Sequence, residues 1–176
     1  MIFKDTEING CFQIEVNLFE DDRGHFLVPF NKDVFAHAKG YLSNFIQDNE
    51  SFSTYGTIRG LHYQIKEYAQ SKLVRCPYGK VLDVVVDIRK NSPSYMKVLT
   101  FELDKPNKMI FIPKGCAHGF SVLSKEAIFS YKVDRPYSKD YESGIRFDDP
   151  TLNIDWKIPT IAQLVSDKDK SLSLLS

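Results

Sequence analysis

What the chain lacks narrows the possibilities first. It has only three cysteines, Cys11, Cys76 and Cys116, an odd number with no CxxC spacing. That excludes a disulfide framework and a thiolate zinc site, and fits free thiols in a reducing compartment. Neither charge is in surplus, with 23 Lys and Arg against 23 Asp and Glu. No whole-chain field therefore draws it to nucleic acid or an anionic membrane, though a local cationic cluster can still hold a small phosphorylated ligand. No apolar run approaches the roughly 20 residues that cross a bilayer. The opening MIFKDTEING carries Asp and Glu where a signal peptide has an apolar stretch. The expectation is a cytoplasmic protein with no nucleic-acid or membrane partner. Internal repeats, low-complexity segments and linkers are also missing, and 176 residues suit one domain spanning 1–176.

What is present is short-period. Residues 80–89, KVLDVVVDIR, alternate Asp83, Val85 and Asp87 with Leu82, Val84, Val86 and Ile88, which predicts a strand with one apolar face. Similar short strands are expected over 11–16, 25–30, 45–52, 72–76, 98–103, 109–112, 118–122 and 127–133. Turn signals such as Asp22-Arg23-Gly24, Pro77-Tyr78-Gly79 and Pro113-Lys114-Gly115 separate them. Many short strands at even spacing predict a β-sandwich or barrel, and a jelly roll is one arrangement that limits exposed edges. Helix is sparse. Residues 31–39 suit one short helix ending at Gly40, and residues 160–176 suit another turn or two with a mobile end.

Histidine is scarce as well: His25, His37, His62 and His118. His37 falls in the expected helix, where surface or packing roles suffice, and His25 is ambiguous. His62 and His118 sit among glycines, aromatics and cations, in RGLHYQ and PKGCAHGF. Taken singly, each reads first as a hydrogen-bonded structural histidine. A metal site in a barrel commonly uses two histidines one residue apart on a strand; beside His62 those positions hold Gly60 and Gln64. A site from His62, His118 and a distant carboxylate remains the minor alternative. Arg23, Arg59, Lys72 and Arg75 lie near turns or strand ends and read either as a solvated rim or as phosphate contacts. Arg59, between Ile58 and Gly60-Leu61, is expected not to be freely exposed. Tyr131 shares a strand face with Phe129 and Val133, and its pattern alone fits a core aromatic.

Taken in order, these segments resemble the dTDP-4-dehydrorhamnose 3,5-epimerase family. The stretches that carry the resemblance are DDRGHF from Asp21, QDNES from Gln47, IRGLHYQ from Ile58, SKLVR from Ser71, DVVVDIR from Asp83, IPKGCAHGF from Ile112, Tyr131-Lys132, DDP from Asp148 and SDKD from Ser166. They span nearly the whole chain, and the ordered set is far more specific than any member. The resemblance implies an all-β cupin jelly roll with a few short helices, no metal or organic cofactor, a nucleotide-sugar substrate linked to dTDP, and a homodimer exchanging N-terminal strands. It implies His62 as general base, Tyr131 as general acid, Asp169 as the carboxylate beside the base and Lys72 near the enolate oxygen. It places Arg23, Gln47, Asn49, Arg59, His118, Tyr137, Glu142 and Lys168 at nucleotide or substrate contacts. One departure stands out: Val28 occupies a position where the family commonly has Glu at the nucleotide end.

The residue types suit the chemistry implied. A ketone at C4 acidifies the hydrogens on C3 and C5. Inversion then needs a base on one face, charge for the enolate and an acid on the other face. Imidazole titrates near pH 6.5, a lysine supplies charge, and a phenol donates a proton. Regular alternation would put Arg59 and His62 on opposite faces, so a turn or bulge near Gly60 is required. Asp83 is the other candidate partner for a histidine. Alternatives are a 3-epimerase, a 5-epimerase or a ketoisomerase, a non-catalytic sugar-binding cupin, and a metal-dependent dioxygenase.

Overall fold

The computed structural model describes residues 1–39 and 44–175, without the side chains of 37–39. In chain order the strands are β1 (Ile2–Asp5), β2 (Phe12–Glu15), β3 (Leu18–Asp21), β4 (Gly24–Leu27), β5 (Gln47–Thr54), β6 (Thr57–Gln64), β7 (Lys72–Tyr78), β8 (Val81–Asp87), β9 (Val98–Leu103), β10 (Lys108–Ile112), β11 (Cys116–Val122), β12 (Glu126–Val133), β13 (Glu142–Gly144) and β14 (Leu164–Val165). Two short helices, α1 (Lys32–Lys39) and α2 (Asp167–Lys170), complete the set together with three 3-10 turns.

Among the described residues the strands form two six-stranded sheets and a separate hairpin. One sheet runs β1-β2-β10-β7-β12-β5. The other runs β13-β6-β11-β8-β9, with β14 added in parallel along β6. All other pairings in the two sheets are antiparallel. The sheets face each other across a core to which both contribute: Val74, Cys76, Ile110 and Phe129 from one, Val81, Val85, Cys116 and Phe120 from the other. This is the expected all-β jelly roll.

The expectation of one apolar face fails for β8, where every residue from Val81 to Asp87 is buried. Val81 and Val85 enter the core between the sheets, while Leu82, Val84 and Val86 pack outward beneath Ile145, Leu152 and Trp156. A strand covered on both sides can carry inward carboxylates only if they are partnered. Asp87 takes hydrogen bonds from Arg89, Ser92 and Ser94, and together these hold its carboxyl far below the usual range despite the opposing effect of burial. The other sheet is backed by Phe35 of α1, packed with Phe12, Leu73 and Phe111. Asn31 caps that helix, its Oδ1 accepting from the N–H groups of Asp33 and Val34. The expected end at Gly40 and the side chain of His37 lie outside the described residues.

The strands β1, β3, β6, β13 and β14 were not expected. The most important is β6, because it carries both Arg59 and His62. The expected mobile end is instead tied down. Arg146 N–H donates to Ser173 O at 2.9 Å, and Leu175 N–H donates to the Asp149 carboxylate at 2.6 Å. That anchoring fixes the segment carrying Lys168 and Asp169.

Candidate active site

A cavity of about 460 Å³ lies between the sheets, lined by residues 49–51 of β5 and by Arg59 and residues 62–64 of β6 among others. Its size falls within the range of small-ligand sites. His62, Arg59 and His118 reach it from one sheet, and Lys72, Tyr131 and Asn49 from the other. Tyr137, Glu142 of β13, and Lys168 and Asp169 of α2 line it as well.

Arg59 and His62 share this cavity because β6 is irregular. Its register with β11 slips between the rows of His118 and Phe120, where the Gly60–Leu61 peptide is cis and Gly60 sits at φ 117°. A Cβ at Gly60 would stand 2.6 Å from Gly119 Cα, and one at Gly119 would stand 2.7 Å from Arg59 O. The two glycines let the strands approach closely enough to turn Arg59 and His62 to a common side. Arg59 is exposed rather than shielded, but its guanidinium is aimed, with Nε donating to Ser53 Oγ at 3.1 Å.

His62 Nε2 lies 2.8 Å from Asp169 Oδ1. The other carboxylate oxygen accepts the Gly60 N–H at 3.1 Å, and Ser166 Oγ caps α2 by accepting the Asp169 N–H. Asp169 is only 4% exposed. Burial alone would raise its pKa, but the hydrogen bond and charge of His62, with the Gly60 N–H and Ser166, bring it below the ordinary value. The carboxyl is therefore ionised beside the imidazole.

A second pair lies deeper. His118 Nε2 is 2.6 Å from Asp83 Oδ1, and both residues are buried, Asp83 completely. Burial lowers the His118 pKa, with Asp83 opposing it. The ring stacks on Phe129 at 5.8 Å. The two candidate carboxylates thus have separate partners: Asp169 goes to His62 and Asp83 to His118. Lys72 is buried in the same cavity wall, donating to His62 O at 3.2 Å. Burial depresses its pKa to about 8, partly offset by Asp83. Tyr131 is held above its ordinary pKa by burial, with Arg59 pulling the other way, so it keeps its proton at neutral pH. At the mouth, Lys168 Nζ bonds both Glu142 oxygens at 2.7 Å and Tyr137 OH donates to Glu142 at 3.0 Å.

Two expected contact residues do not line this cavity. Arg23 is at the tip of the β3–β4 hairpin, almost fully exposed and paired with Asp21. Gln47 is exposed at the start of β5, with Nε2 bonded to Asn49 Oδ1 at 2.6 Å. Phe120, Ser51 and Gln64 line the cavity without having been singled out. Ser51 alternates with Asn49 and Ser53, and the spacing of two was the available signal. Among the described residues no group of three or more His, Cys, Asp or Glu is arranged to hold a metal ion.

The family model described as dTDP-4-dehydrorhamnose 3,5-epimerase matches residues 5–176. The chain belongs to this family. Among dTDP-4-dehydrorhamnose 3,5-epimerases it is 50% identical to that of Shigella flexneri, over 93% of this chain and 90% of the relative. The crystal structure of the Elizabethkingia anophelis NUHP1 enzyme superposes with a TM-score of 0.93 at 43% identity, covering 99% of this chain and 96% of that one. The Legionella pneumophila dTDP-6-deoxy-D-glucose-3,5-epimerase, solved in complex with dTDP-4-keto-L-rhamnose, gives 0.93 at 38% identity, covering 98% and 92%. Members of the dTDP-4-dehydrorhamnose 3,5-epimerase family thus share the entire fold described above. Among the described residues no helix is long and apolar enough to cross a membrane.

Proposed function

We propose that the chain is an isomerase that inverts C3 and C5 of dTDP-4-dehydro-6-deoxyglucose, giving dTDP-4-dehydrorhamnose by deprotonation to an enolate and reprotonation. One observation carries the reading. An imidazole on β6 and a phenol on β12 belong to opposite sheets and line the same cavity. A flat enolate held between the sheets would meet a base on one face and an acid on the other, which is what inversion needs.

The remaining groups fit that division. With Asp169 accepting the Nε2 proton, the basic lone pair of His62 falls on Nδ1, and the imidazolium formed on abstraction is stabilised by the carboxylate. Lys72 supplies positive charge to the developing oxyanion within a partly dry cavity. Tyr131 retains its proton at neutral pH and delivers it to carbon. Asn49, Arg59, His118, Tyr137, Glu142 and Lys168 are substrate contacts in this reading. No metal or organic cofactor is needed, because the ketone itself stabilises the carbanion.

Arg23 and Gln47 fit through a second copy of the chain. The β3–β4 hairpin exposes Phe19 and Phe26, followed by Val28, an apolar surface suited to packing on another protomer. A homodimer with exchanged N-terminal segments would cover it and bring Arg23 toward a neighbouring nucleotide site. Val28 in place of an acidic residue would then alter only the nucleotide end. A cytoplasmic location fits a nucleotide-sugar substrate.

Turnover of dTDP-4-keto-6-deoxyglucose in deuterated buffer, followed by NMR, tests the reading. Deuterium is expected at both C3 and C5 of the product. Label at one carbon alone would replace the double epimerase with a 3- or 5-epimerase, and full activity in His62→Ala would overturn the mechanism. Tyr131→Phe is expected to spare abstraction more than product formation.

A further inference from the structure

We infer that Ser51 is a ligand-binding residue whose hydroxyl donates to the diphosphate of the nucleotide sugar; this rests on the epimerase reading above. Ser51 lines the cavity, yet its Oγ is shielded from solvent and has no hydrogen-bond partner among the described residues. Buried hydroxyls are nearly always satisfied, and an orphan one is destabilising. Its neighbours on the same face of β5 do have partners: Asn49 accepts from Gln47 and Ser53 from Arg59. An unpartnered hydroxyl in this row is explained if its partner arrives with the ligand. One χ1 rotation between staggered wells would turn Oγ into the cavity.

Register locates the contact. Ser51 stands opposite Phe129, one inward row along from Tyr131, which faces Asn49. On the other sheet His62 pairs with His118, and Arg59 with Phe120. The Arg59–Ser53 hydrogen bond brings Arg59 level with Ser53, the next residue after Ser51 on the same face of β5. In this inference a sugar held between His62 and Tyr131 turns its phosphate-bearing end toward the Arg59 guanidinium, a bidentate phosphate donor, and Ser51 lines the same part of the cavity. A hydroxyl donor next to a guanidinium suits a phosphate oxygen.

The test measures dTDP and dTDP-sugar affinity by calorimetry, with melting curves of the ligand-free protein, for wild type, Ser51→Ala and Ser51→Thr. Ser51→Ala is expected to bind both ligands about tenfold more weakly, the effect of one lost hydrogen bond to a charged group. Its Tm without ligand should be unchanged or higher, because an unsatisfied group has been removed. Ser51→Thr keeps the hydroxyl and should retain affinity within about threefold. A lowered Tm in Ser51→Ala would make Ser51 structural and overturn the inference. Loss confined to the sugar nucleotide, with dTDP unaffected, would move the contact to the sugar and refute the diphosphate assignment. Unchanged binding in Ser51→Ala sinks the inference alone; wild type that binds neither ligand sinks the epimerase reading along with it.

Discussion

The two histidine–carboxylate pairs are built from the same groups at nearly the same distance, 2.8 Å for His62–Asp169 and 2.6 Å for His118–Asp83. They differ in what surrounds them. Asp169 is delivered by a short capped helix, its second oxygen is satisfied by Gly60, and the imidazole of His62 keeps partial access to the cavity. Asp83 sits mid-strand with no exposure and one oxygen unpartnered among the described residues, and His118 is stacked against an aromatic floor. A pair that must accept and release protons needs solvent or substrate on one side and a stabilised carboxylate on the other. A pair closed in by packing holds the cavity wall in place, so that His118 can touch a substrate without carrying its proton. Hydrogen-bond geometry does not assign a role here; access does.

Substitutions in each pair test the contrast directly. The largest effect is expected in His62→Ala, with kcat lower by about 10⁴-fold while the melting curve stays near wild type; a stability loss matching that of the inner pair would erase the distinction. Asp83→Ala should act the other way, destabilising by about 3 kcal/mol because a buried hydrogen-bonded pair loses one member, readable in denaturant unfolding. Asp169→Asn comes next, with kcat about 50-fold lower through loss of imidazole orientation and little change in substrate affinity; an unchanged kcat would make the outer carboxylate dispensable.

The pH dependence separates the pairs more finely. Burial holds His118 below its usual value, so an unfolded chain takes up that proton first. Stability should fall as pH drops from about 6.5 toward the folded value, and this slope should flatten in His118→Asn. Asp169, held below its ordinary value, contributes stability that is present above about pH 4 and lost as pH falls through the folded pKa. Lys72 supplies the alkaline side: with a folded pKa of about 8, kcat should decline as pH rises through that value. A flat profile to pH 10 would remove its charge from the mechanism.

Much of the fold was legible because strands announce themselves locally. The valines of β8 predict an extended segment, and the Gly and Pro turns on either side bound it. Burial of its second face was hidden, since Trp156 and Ile145, which cover it, lie far along the chain. β6 escaped for a related reason: Arg59, Gly60 and His62 break the alternation that marks a strand, and the register slip that reconciles them exists only against β11. The need for such an irregularity could be deduced; its form could not. The His62–Asp169 contact spans 107 positions, beyond any local pattern, and only the resemblance to a family pointed to it. Arg23 shows the converse limit, a residue whose role came from resemblance and that a single chain leaves outside the cavity lining.

Gly60 and Gly119 carry a consequence for anyone redesigning this barrel. A side chain at Gly60 would run into the backbone of Gly119, and one at Gly119 into the Arg59 carbonyl, so trimming a neighbouring side chain cannot compensate at either position. A library that diversifies the cavity to accept new sugars can vary its rim freely, but should leave both positions unrandomised. Variants altered at either would be discarded at the expression step, before substrate scope was ever sampled.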